Sequence, residues 1–568
     1  MRTLLKTRLL SGSLLLIAIV IACSLIPRID QDTRSLCVAE SWVANSVLAG
    51  SLHDMFYYDP WLQTTPPLSL LLVRATVKIL GASNITLRFL PLACGFLAVI
   101  LLAVLATRML RPTFALVCTA LLGFSPWAVI YAKELKEYSM GVFVTSLLLL
   151  LVWEYIRHRD QWRYFVMLIA FAVTMLLSYS AIFFVPLALL VIALCHDGAT
   201  GLAGKRVTAL RLIGLSGVTS LIAGVSYLLL VRPNSSPELK SFWWNGFPYS
   251  FHGMGKVDYY LKDFGAMPVA FFFPPVSAFR HNLWSMKELP VLLQVLAFGG
   301  ALVLVGLTIR ATLRMSTHRW AMLFFLMPML TLAAFNLAGL YPVSARRLTL
   351  FMVPCVALCF AAAAEALWLS FLAPMLSERG QQKFQFVASM ACVIGVVALT
   401  LHASDWDMDP NDDTGVESAV GYLKSAMRTP GDMLYVHSWA EEPTRLYVRL
   451  FQWGDTAIRY GHTGLPCCKR ITENRPPDPT QERAYVLDDF RRVIGGGPQG
   501  DLWLLFRGFE LGDSIDNDKK IIMESLSAAG CREELERHFG SVAVDRFHCI
   551  PGQQQFYLQS SLGPAASR

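Results

Sequence analysis

Charged residues are what this 568-residue sequence has least of. Asp, Glu, Lys and Arg together make up only 16% of it, whereas they form about a quarter of a typical soluble domain. Hydrophobic residues make up 55%, and many lie in runs long enough to cross a membrane as helices. The composition therefore excludes a soluble globular fold for most of the chain.

Motifs for nucleic-acid binding are also missing. The net charge of +8 comes mostly from basic residues in short segments between apolar runs, where Lys and Arg determine membrane topology. We therefore expect no nucleic-acid partner. Acidic residues are scarce inside the apolar runs, with Glu365 a rare exception. Because pumps and carriers usually need such residues inside the membrane, chemistry at the membrane surface is favoured.

The apolar runs predict about eleven transmembrane helices. A further apolar stretch, Pro67–Leu80, carries Arg74 and Lys78 on one helical face, which is typical of a helix lying in the membrane surface. The predicted spans are residues 9–26, 90–109, 113–132, 138–156, 164–180, 183–195, 212–231, 289–309, 321–340, 348–372 and 384–402.

The distribution of basic residues sets the predicted orientation. If residues 67–80 do not cross, all five short basic loops lie on one side, which the positive-inside rule makes cytoplasmic. The N-terminus is then cytoplasmic, and the first outer loop (27–88), a turn at 133–137 and a longer loop (232–288) lie outside. The C-terminal segment lies outside as well, so we expect a multi-pass protein of a bacterial inner membrane.

The C-terminal segment differs in composition from the rest of the chain. Residues 404–568 are polar, and short β-like runs alternate with helical patterns, which predicts a soluble α/β domain after a membrane domain at 1–403. Its four cysteines predict one or two disulfides in an oxidising compartment, with the pairing left open. No His or Cys spacing supports a metal site. The four cysteines are Cys467, Cys468, Cys531 and Cys549.

Five short motifs follow one another along the chain. Residues 34–42 resemble a Ser-Leu-Trp-x-Asp-Glu-Ala signature, 65–68 a (Lys/His)-Pro-Pro-Leu element, and 81–91 a Gly…Arg-(Leu/Phe)-Pro element. Residues 131–139 resemble a Glu-(Leu/Ala)-(Lys/Arg)-x-Tyr-Ser turn, and 341–354 a later turn that contains Arg. In motif order and membrane side the chain resembles the GT-C membrane glycosyltransferases, in particular the protein O-mannosyltransferases and the lipid A aminoarabinose transferases.

The resemblance implies a glycosyltransferase. Such enzymes take a sugar from a polyprenyl-phosphate donor and pass it, with inversion, to an acceptor glycan, lipid or protein outside the membrane. The C-terminal domain is then expected to assist acceptor binding, and membrane lipids are further partners. Two alternatives remain open, namely a transporter or flippase for a lipid-linked glycan and a non-catalytic GT-C relative.

The candidate site residues come from the two outer segments and the late turn. A carboxylate must accept the proton of the acceptor hydroxyl, and Glu40 and Asp32 are the predicted catalytic residues. The family Asp before this Glu is replaced by Ala39, which motivates the non-catalytic alternative. We expect no metal and no cofactor, with a divalent cation as the alternative. The predicted substrate-binding residues are Lys133, Glu134, Lys136, Tyr138, Arg88, Arg346 and Arg347.

Overall fold

The computed structural model describes residues 2–29, 35–57, 64–195, 202–234, 271, 309–343, 347–404, 415–454, 457–461, 479–495, 500–507 and 513–549. Helices dominate these residues up to position 404. The helices in this part are α1 (Arg2–Ile29), α2 (Val38–Val47), α3 (Leu52–Phe56), α4 (Pro67–Leu80), α5 (Asn84–Met109), α6 (Pro112–Gly123), α7 (Pro126–Ile130), α8 (Tyr138–His158), α9 (Gln161–Leu177), α10 (Val185–Leu194), α11 (Leu202–Ser226), α12 (Ser316–Leu337), α13 (Val353–Leu367) and α14 (Glu378–Ser404).

Several of these helices are suited to a membrane. Among the described residues, five helices are long and apolar enough to cross it, and one bent pair would make a sixth. The predicted mostly helical membrane fold is thus confirmed, whereas the number eleven stays a prediction. The predicted span 289–309 lies outside the described residues except for its last residue. The five helices are Asn84–Met109, Tyr138–His158, Gly204–Asn234, Ser316–Leu337 and Leu350–Met375.

The predicted span at 113–132 is broken rather than continuous. Its two parts, Pro112–Gly123 and Pro126–Lys133, are bent by 54°. Pro126 stands at the start of the second part, where a helix does not need the N–H that proline lacks. The same missing N–H prevents the preceding helix from continuing through Pro126. The buried Arg28 side chain donates to the carbonyl oxygens of Leu122 (3.4 Å) and Gly123 (2.6 Å). These bonds satisfy carbonyls that the break leaves without helical partners.

The C-terminal residues form a mixed sheet with helices on both faces. Strand β1 pairs in parallel with β2 and β3, while β5 pairs antiparallel with β3 and β4. The strand order is β2-β1-β3-β5-β4. The elements are α15 (Val416–Ala426), β1 (Met433–Val436), α16 (Ser438–Leu450), β2 (Ile458–Tyr460), α17 (Pro479–Ile494), β3 (Leu502–Arg507), α18 (Asp513–Ala528), β4 (Arg532–Phe539) and β5 (Val542–His548).

One predicted disulfide is present in this sheet. Cys531 precedes β4 and bonds to Cys549, which follows β5, so the bridge closes the β4–β5 hairpin at its open end. Cys467 and Cys468 lie outside the described residues. The division into domains at residue 404 stays a prediction.

The C-terminal helices pack on the first outer loop. The Tyr447 hydroxyl on α16 accepts the backbone N–H of Leu36 at 2.6 Å. Asn45 on α2 donates to Glu442 Oε2 at 2.8 Å, and Asn84 donates to Glu417 Oε2 at 2.8 Å. The loop that precedes α2 is therefore held by residues that lie about 400 positions later in the sequence.

Candidate active site

Glu40 is fully buried and makes four hydrogen bonds. Its Oε1 accepts from Arg88 Nε (2.8 Å) and from the Leu135 backbone N–H (2.7 Å). Its Oε2 accepts from Arg88 Nη2 (2.7 Å) and from the Cys37 backbone N–H (3.1 Å). The two-point Arg–carboxylate contact has the geometry of a strong, charge-assisted pair. Glu40 thus joins the first outer loop, the start of α5 and the second outer turn.

The local sequence explains why Glu40 points inward. Cys37 is the N-cap residue of α2 and Glu40 occupies the third helical position, so its side chain can reach back to the Cys37 N–H. Ser83 caps α5 in the same way through Thr86, which fixes the helical turn that carries Arg88. Arg88 also donates to the Ser35 carbonyl oxygen at 3.0 Å. The two capped helix starts therefore bring the ion pair together.

The second outer turn places charged side chains beside this ion pair. Glu134 and Lys136 are each only 6% exposed. Glu134 and Arg347 both lie within electrostatic range of Lys136, and Tyr138 lies near Arg347. The structure thus brings together four of the predicted substrate-binding residues from two distant parts of the chain.

Burial changes the acid–base properties of the turn. It lowers the pKa of the Lys136 ammonium, an effect that the nearby Glu137 carboxylate opposes. It also raises the pKa of Glu137, against the stabilising charge of Lys136. Both shifts bring the charged and neutral forms closer in free energy, as is common at functional sites.

Aromatic rings line the same region. Trp127 stacks on Tyr131 with 6.0 Å between ring centroids, and Tyr131 meets the edge of Tyr138 at 5.1 Å. Ser139 donates to the Tyr131 carbonyl oxygen at 2.7 Å, which ties the turn to the start of α8. Aromatic faces beside carboxylates offer both an apolar surface and hydrogen-bond acceptors to a polar ligand.

Other predicted site residues are placed differently. Asp32 and Arg346 lie outside the described residues, so their roles stay predictions. Lys133 ends the short 3-10 turn Tyr131–Lys133 and is partly exposed. Arg74, on the helix predicted to lie in the membrane surface, donates to the carbonyl oxygens of Val47 and Ser51 and so links α4 to α2 and α3.

A metal site is not formed by the candidate residues that the structure describes. The described chain contains one group of three acidic side chains close enough to share a cation, Glu533, Glu536 and Asp545 in the C-terminal sheet. Lys519 Nζ lies 3.0 Å from Glu536 and 3.2 Å from Asp545, so an ammonium already pairs with two of these three carboxylates.

Sequence reasoning missed several residues of the site. Neither Glu137 nor Tyr179 is among the site residues predicted from the sequence. The fold brings these two residues near each other, since Tyr179 lies within range of the charge of Glu137. An acidic residue directly after a lysine in an outer turn was a signal for Glu137. Nothing in the sequence pointed to Tyr447, which contacts the first outer loop.

Comparison with known proteins agrees with the motifs. Residues 64–223 match the family described as dolichyl-phosphate-mannose-protein mannosyltransferase. The fold is similar to that of ArnT from Cupriavidus metallidurans bound to undecaprenyl phosphate, with 14% identity and a TM-score of 0.51 over 96% of this chain and 99% of that one. The resemblance to the GT-C superfamily is confirmed.

A second ArnT structure extends the comparison. The apo state of ArnT from the same organism also has 14% identity and a TM-score of 0.51, over 94% of this chain and 98% of that one. At this identity the likeness establishes the GT-C fold and nothing finer. A search of curated protein sequences gives no significant match.

Proposed function

We propose that this protein transfers a sugar from a polyprenyl-phosphate donor to an acceptor outside the membrane. One observation carries the proposal, namely the cluster of the buried Lys136 with the half-buried Arg347 and Tyr138 near the Glu40–Arg88 ion pair. The cluster occurs in a fold shared with a structure whose bound ligand is undecaprenyl phosphate. A phosphate leaving group is stabilised by such cations.

The proposed reaction is a direct displacement at the anomeric carbon. The acceptor oxygen forms a bond to this carbon while the bond to the phosphate oxygen breaks, so the configuration inverts. The phosphate leaves with the electron pair, and Lys136 and Arg347 stabilise its added charge. Lys133, at the partly exposed rim, is placed to meet the donor first. Glu137 and, more weakly, Glu134 act as the counter-ions that keep Lys136 charged.

We further propose that Glu40 positions the site. Both of its oxygens are engaged and it is fully buried, so it has no free lone pair aimed at open space. A carboxylate with several donors is also a weak base. The hypothesis that Glu40 accepts a proton is untested, but this geometry favours the role of holding Arg88 and the second outer turn in place.

The finer membrane arrangement belongs to the same proposal. Eleven spans, a cytoplasmic N-terminus and an extracytoplasmic C-terminal region place the cluster at the outer surface of a bacterial inner membrane. The contacts of α16 with the first outer loop support a C-terminal region that works with the site. No metal is needed for the displacement as written, because the cations of the cluster stabilise the leaving phosphate.

Mass spectrometry of cell-envelope glycans and lipid-linked sugars tests the proposal. Cells with a deletion are expected to lose one glycan modification and to accumulate one polyprenyl-phosphate sugar, and cells with Lys136→Met are expected to show the same change. An unchanged glycan profile in the deletion would contradict the proposal. Net translocation of lipid-linked sugar by the protein in liposomes, without transfer to an acceptor, would favour the flippase instead.

The substitution at Ala39 supports one competing function, a non-catalytic relative. Ala39 lies in the first turn of α2, next to Glu40, and supplies no carboxylate. If the native chain has lost its activity, Ala39→Asp should gain transfer activity that the wild type lacks. If the wild type is already active, the non-catalytic reading is wrong.

A further inference from the structure

Three carboxylates lie in the described part of the candidate site, and their surroundings differ. Glu40 accepts four hydrogen bonds and is 0% exposed. Glu134 is 6% exposed and lies within range of the positive charges of Lys136 and Arg347. Glu137 is partly exposed and, within the described residues, is in no ion pair. A ligand can therefore reach Glu137 without breaking a hydrogen bond to another side chain, although the charge of Glu137 acts on Lys136 more strongly than that of Glu134 does.

Glu137 lies near two tyrosine side chains. Glu137 is the N-cap residue of α8, and Tyr179 and Tyr341 lie within range of its charge. The buried Tyr179 hydroxyl has no hydrogen-bond partner among the described residues. Such a hydroxyl is costly to bury unless a ligand or water completes its bonding. A sugar hydroxyl is one group that can complete it.

The charged and titratable groups around Glu137 come from four parts of the chain. Lys136 precedes it in the turn, Tyr138 follows it on α8, and Tyr179 and Tyr341 face it from the segments before α10 and after α12. Burial raises the pKa of Glu137 while Lys136 acts against this rise. A carboxylate with a raised pKa is a better proton acceptor than one in water.

The remaining acids of the first outer loop are poorly placed for this task. Within the described residues of this loop, the other carboxylate is Asp54 on α3, whose side chain is 62% exposed. It lies beside His53, and its backbone N–H donates to the hydroxyl oxygen of the cap residue Ser51. It therefore belongs to a solvated helix start rather than to the cluster.

Building on the proposed function, we propose that Glu137 is the catalytic residue that accepts the proton of the acceptor hydroxyl. The acceptor oxygen bonds to the anomeric carbon, the bond from that carbon to the phosphate oxygen breaks, and the acceptor proton moves to the Glu137 carboxylate. Lys136 keeps the carboxylate ionised until the acceptor arrives. The product leaves, and the proton returns to water.

Purified full-length protein tests this role with polyprenyl-phosphate sugars extracted from the deletion strain. The measurement is release of free polyprenyl phosphate in the presence of acceptor-containing membranes. Glu137→Gln should reduce turnover by about 10²–10⁴-fold while the affinity for undecaprenyl phosphate changes less than about threefold, because the loss of one base removes only the proton-transfer contribution. Glu154→Gln is the matched control, since Glu154 lies on the same helix at its other end and pairs with Arg108.

The pH profile and chemical rescue separate catalysis from folding. Wild-type turnover should fall as the pH drops through the raised pKa of Glu137, and Glu137→Gln should lack this acid limb. Formate should restore part of the activity of Glu137→Ala, because a small carboxylate can occupy the vacated space. Rescue is expected even if the variant is partly destabilised.

The failures of the two proposals are distinguishable. If wild-type protein releases no polyprenyl phosphate while the deletion leaves the glycans unchanged, the transferase function is wrong. If wild type is active and Glu137→Gln keeps more than half of its turnover, the function stands and the role of Glu137 is overturned. An intact acid limb in Glu137→Gln, or no rescue of Glu137→Ala by formate, also overturns it.

Discussion

The first outer loop and the second outer turn both carry charged residues to the same place, yet they use them differently. In the first, Glu40 and Arg88 are 0% and 2% exposed and bond to each other at two points. In the second, Glu137 has no ion-pair partner among the described residues, and burial lowers the pKa of Lys136. A carboxylate whose bonds are complete builds structure, whereas one whose bonds are incomplete is available for chemistry.

The largest effect on stability should come from removing one partner of the Glu40–Arg88 ion pair. Arg88→Met leaves the Glu40 carboxylate buried without its cation, which destabilises a protein by about 3–5 kcal/mol. We expect loss of folded protein in detergent, measured by thermal unfolding and size-exclusion chromatography. The double variant Glu40→Gln with Arg88→Met should regain part of the loss, because no buried charge remains.

Glu40→Gln alone sharpens the same comparison. If Glu40 positions Arg88 and the second outer turn, the stability and the activity of the variant should fall together. A stable Glu40→Gln protein with wild-type unfolding but with no turnover would instead restore Glu40 as the proton acceptor.

A smaller effect is expected from replacing Lys136, the buried cation of the turn at 133–137. Lys136→Met removes a charge-assisted contact worth about 1.5–3 kcal/mol, so the affinity for undecaprenyl phosphate should fall roughly 10–100-fold. Thermal stability should hold or rise, since a buried ammonium is replaced by an apolar chain of similar length. Lys133→Met, at the partly exposed rim, serves as the comparison and should lose less affinity. Equal losses would mean that burial does not distinguish these lysines.

Loss of the contact between the C-terminal region and the first outer loop should reduce stability by a comparable or smaller amount. Tyr447→Phe leaves the buried Leu36 N–H without its partner, at a cost of about 1–3 kcal/mol. We expect faster proteolysis within residues 30–36 and a lower unfolding temperature. Tyr422→Phe is a suitable control, because Tyr422 packs inside the C-terminal region against Trp503. Unchanged proteolysis in Tyr447→Phe would show that the first outer loop does not depend on α16.

The smallest change should appear in the alkaline pH dependence of binding. A lysine binds phosphate in its protonated form, so binding is complete below its pKa and is lost as the pH rises through it. Because burial lowers the pKa of Lys136, undecaprenyl phosphate binding should weaken at a lower pH than an exposed lysine would give. Lys136→Met should abolish this alkaline limb, and a limb that persists in the variant must come from another group.

The sequence predicted most helices because each has its own local signal. The apolar runs around 90–109 and 138–156 coincide with Asn84–Met109 and Tyr138–His158. The start of α5 lies before its apolar run because the Ser83 cap, rather than hydrophobicity, decides it. Ser125-Pro126 is a local signal for the break within 113–132. The sequence nevertheless predicted one continuous span there, because the residues on both sides are apolar. The buried Arg28, whose side chain bonds the carbonyl oxygens at the break, comes from another helix.

The candidate site was predictable in part. The motifs pointed to Glu40, Lys136 and Arg347, and the fold brings all three to one region. What each residue does depends on partners that are far away in the sequence. The Glu40–Arg88 pair joins residues separated by 48 positions. A local sequence pattern therefore does not show how many hydrogen-bond donors surround a carboxylate in the folded protein.

The sequence by itself determined that this is a helical membrane protein, where its apolar segments lie and which family its motifs resemble. These properties follow from side-chain transfer into lipid and from short-range capping, and both are encoded within a few turns of chain. Only the tertiary structure decided that both oxygens of Glu40 accept hydrogen bonds and that Glu137 lies near Tyr179, whose hydroxyl has no partner among the described residues. Burial and hydrogen-bond satisfaction are properties of the whole packed molecule, because they depend on which distant groups exclude water from a site.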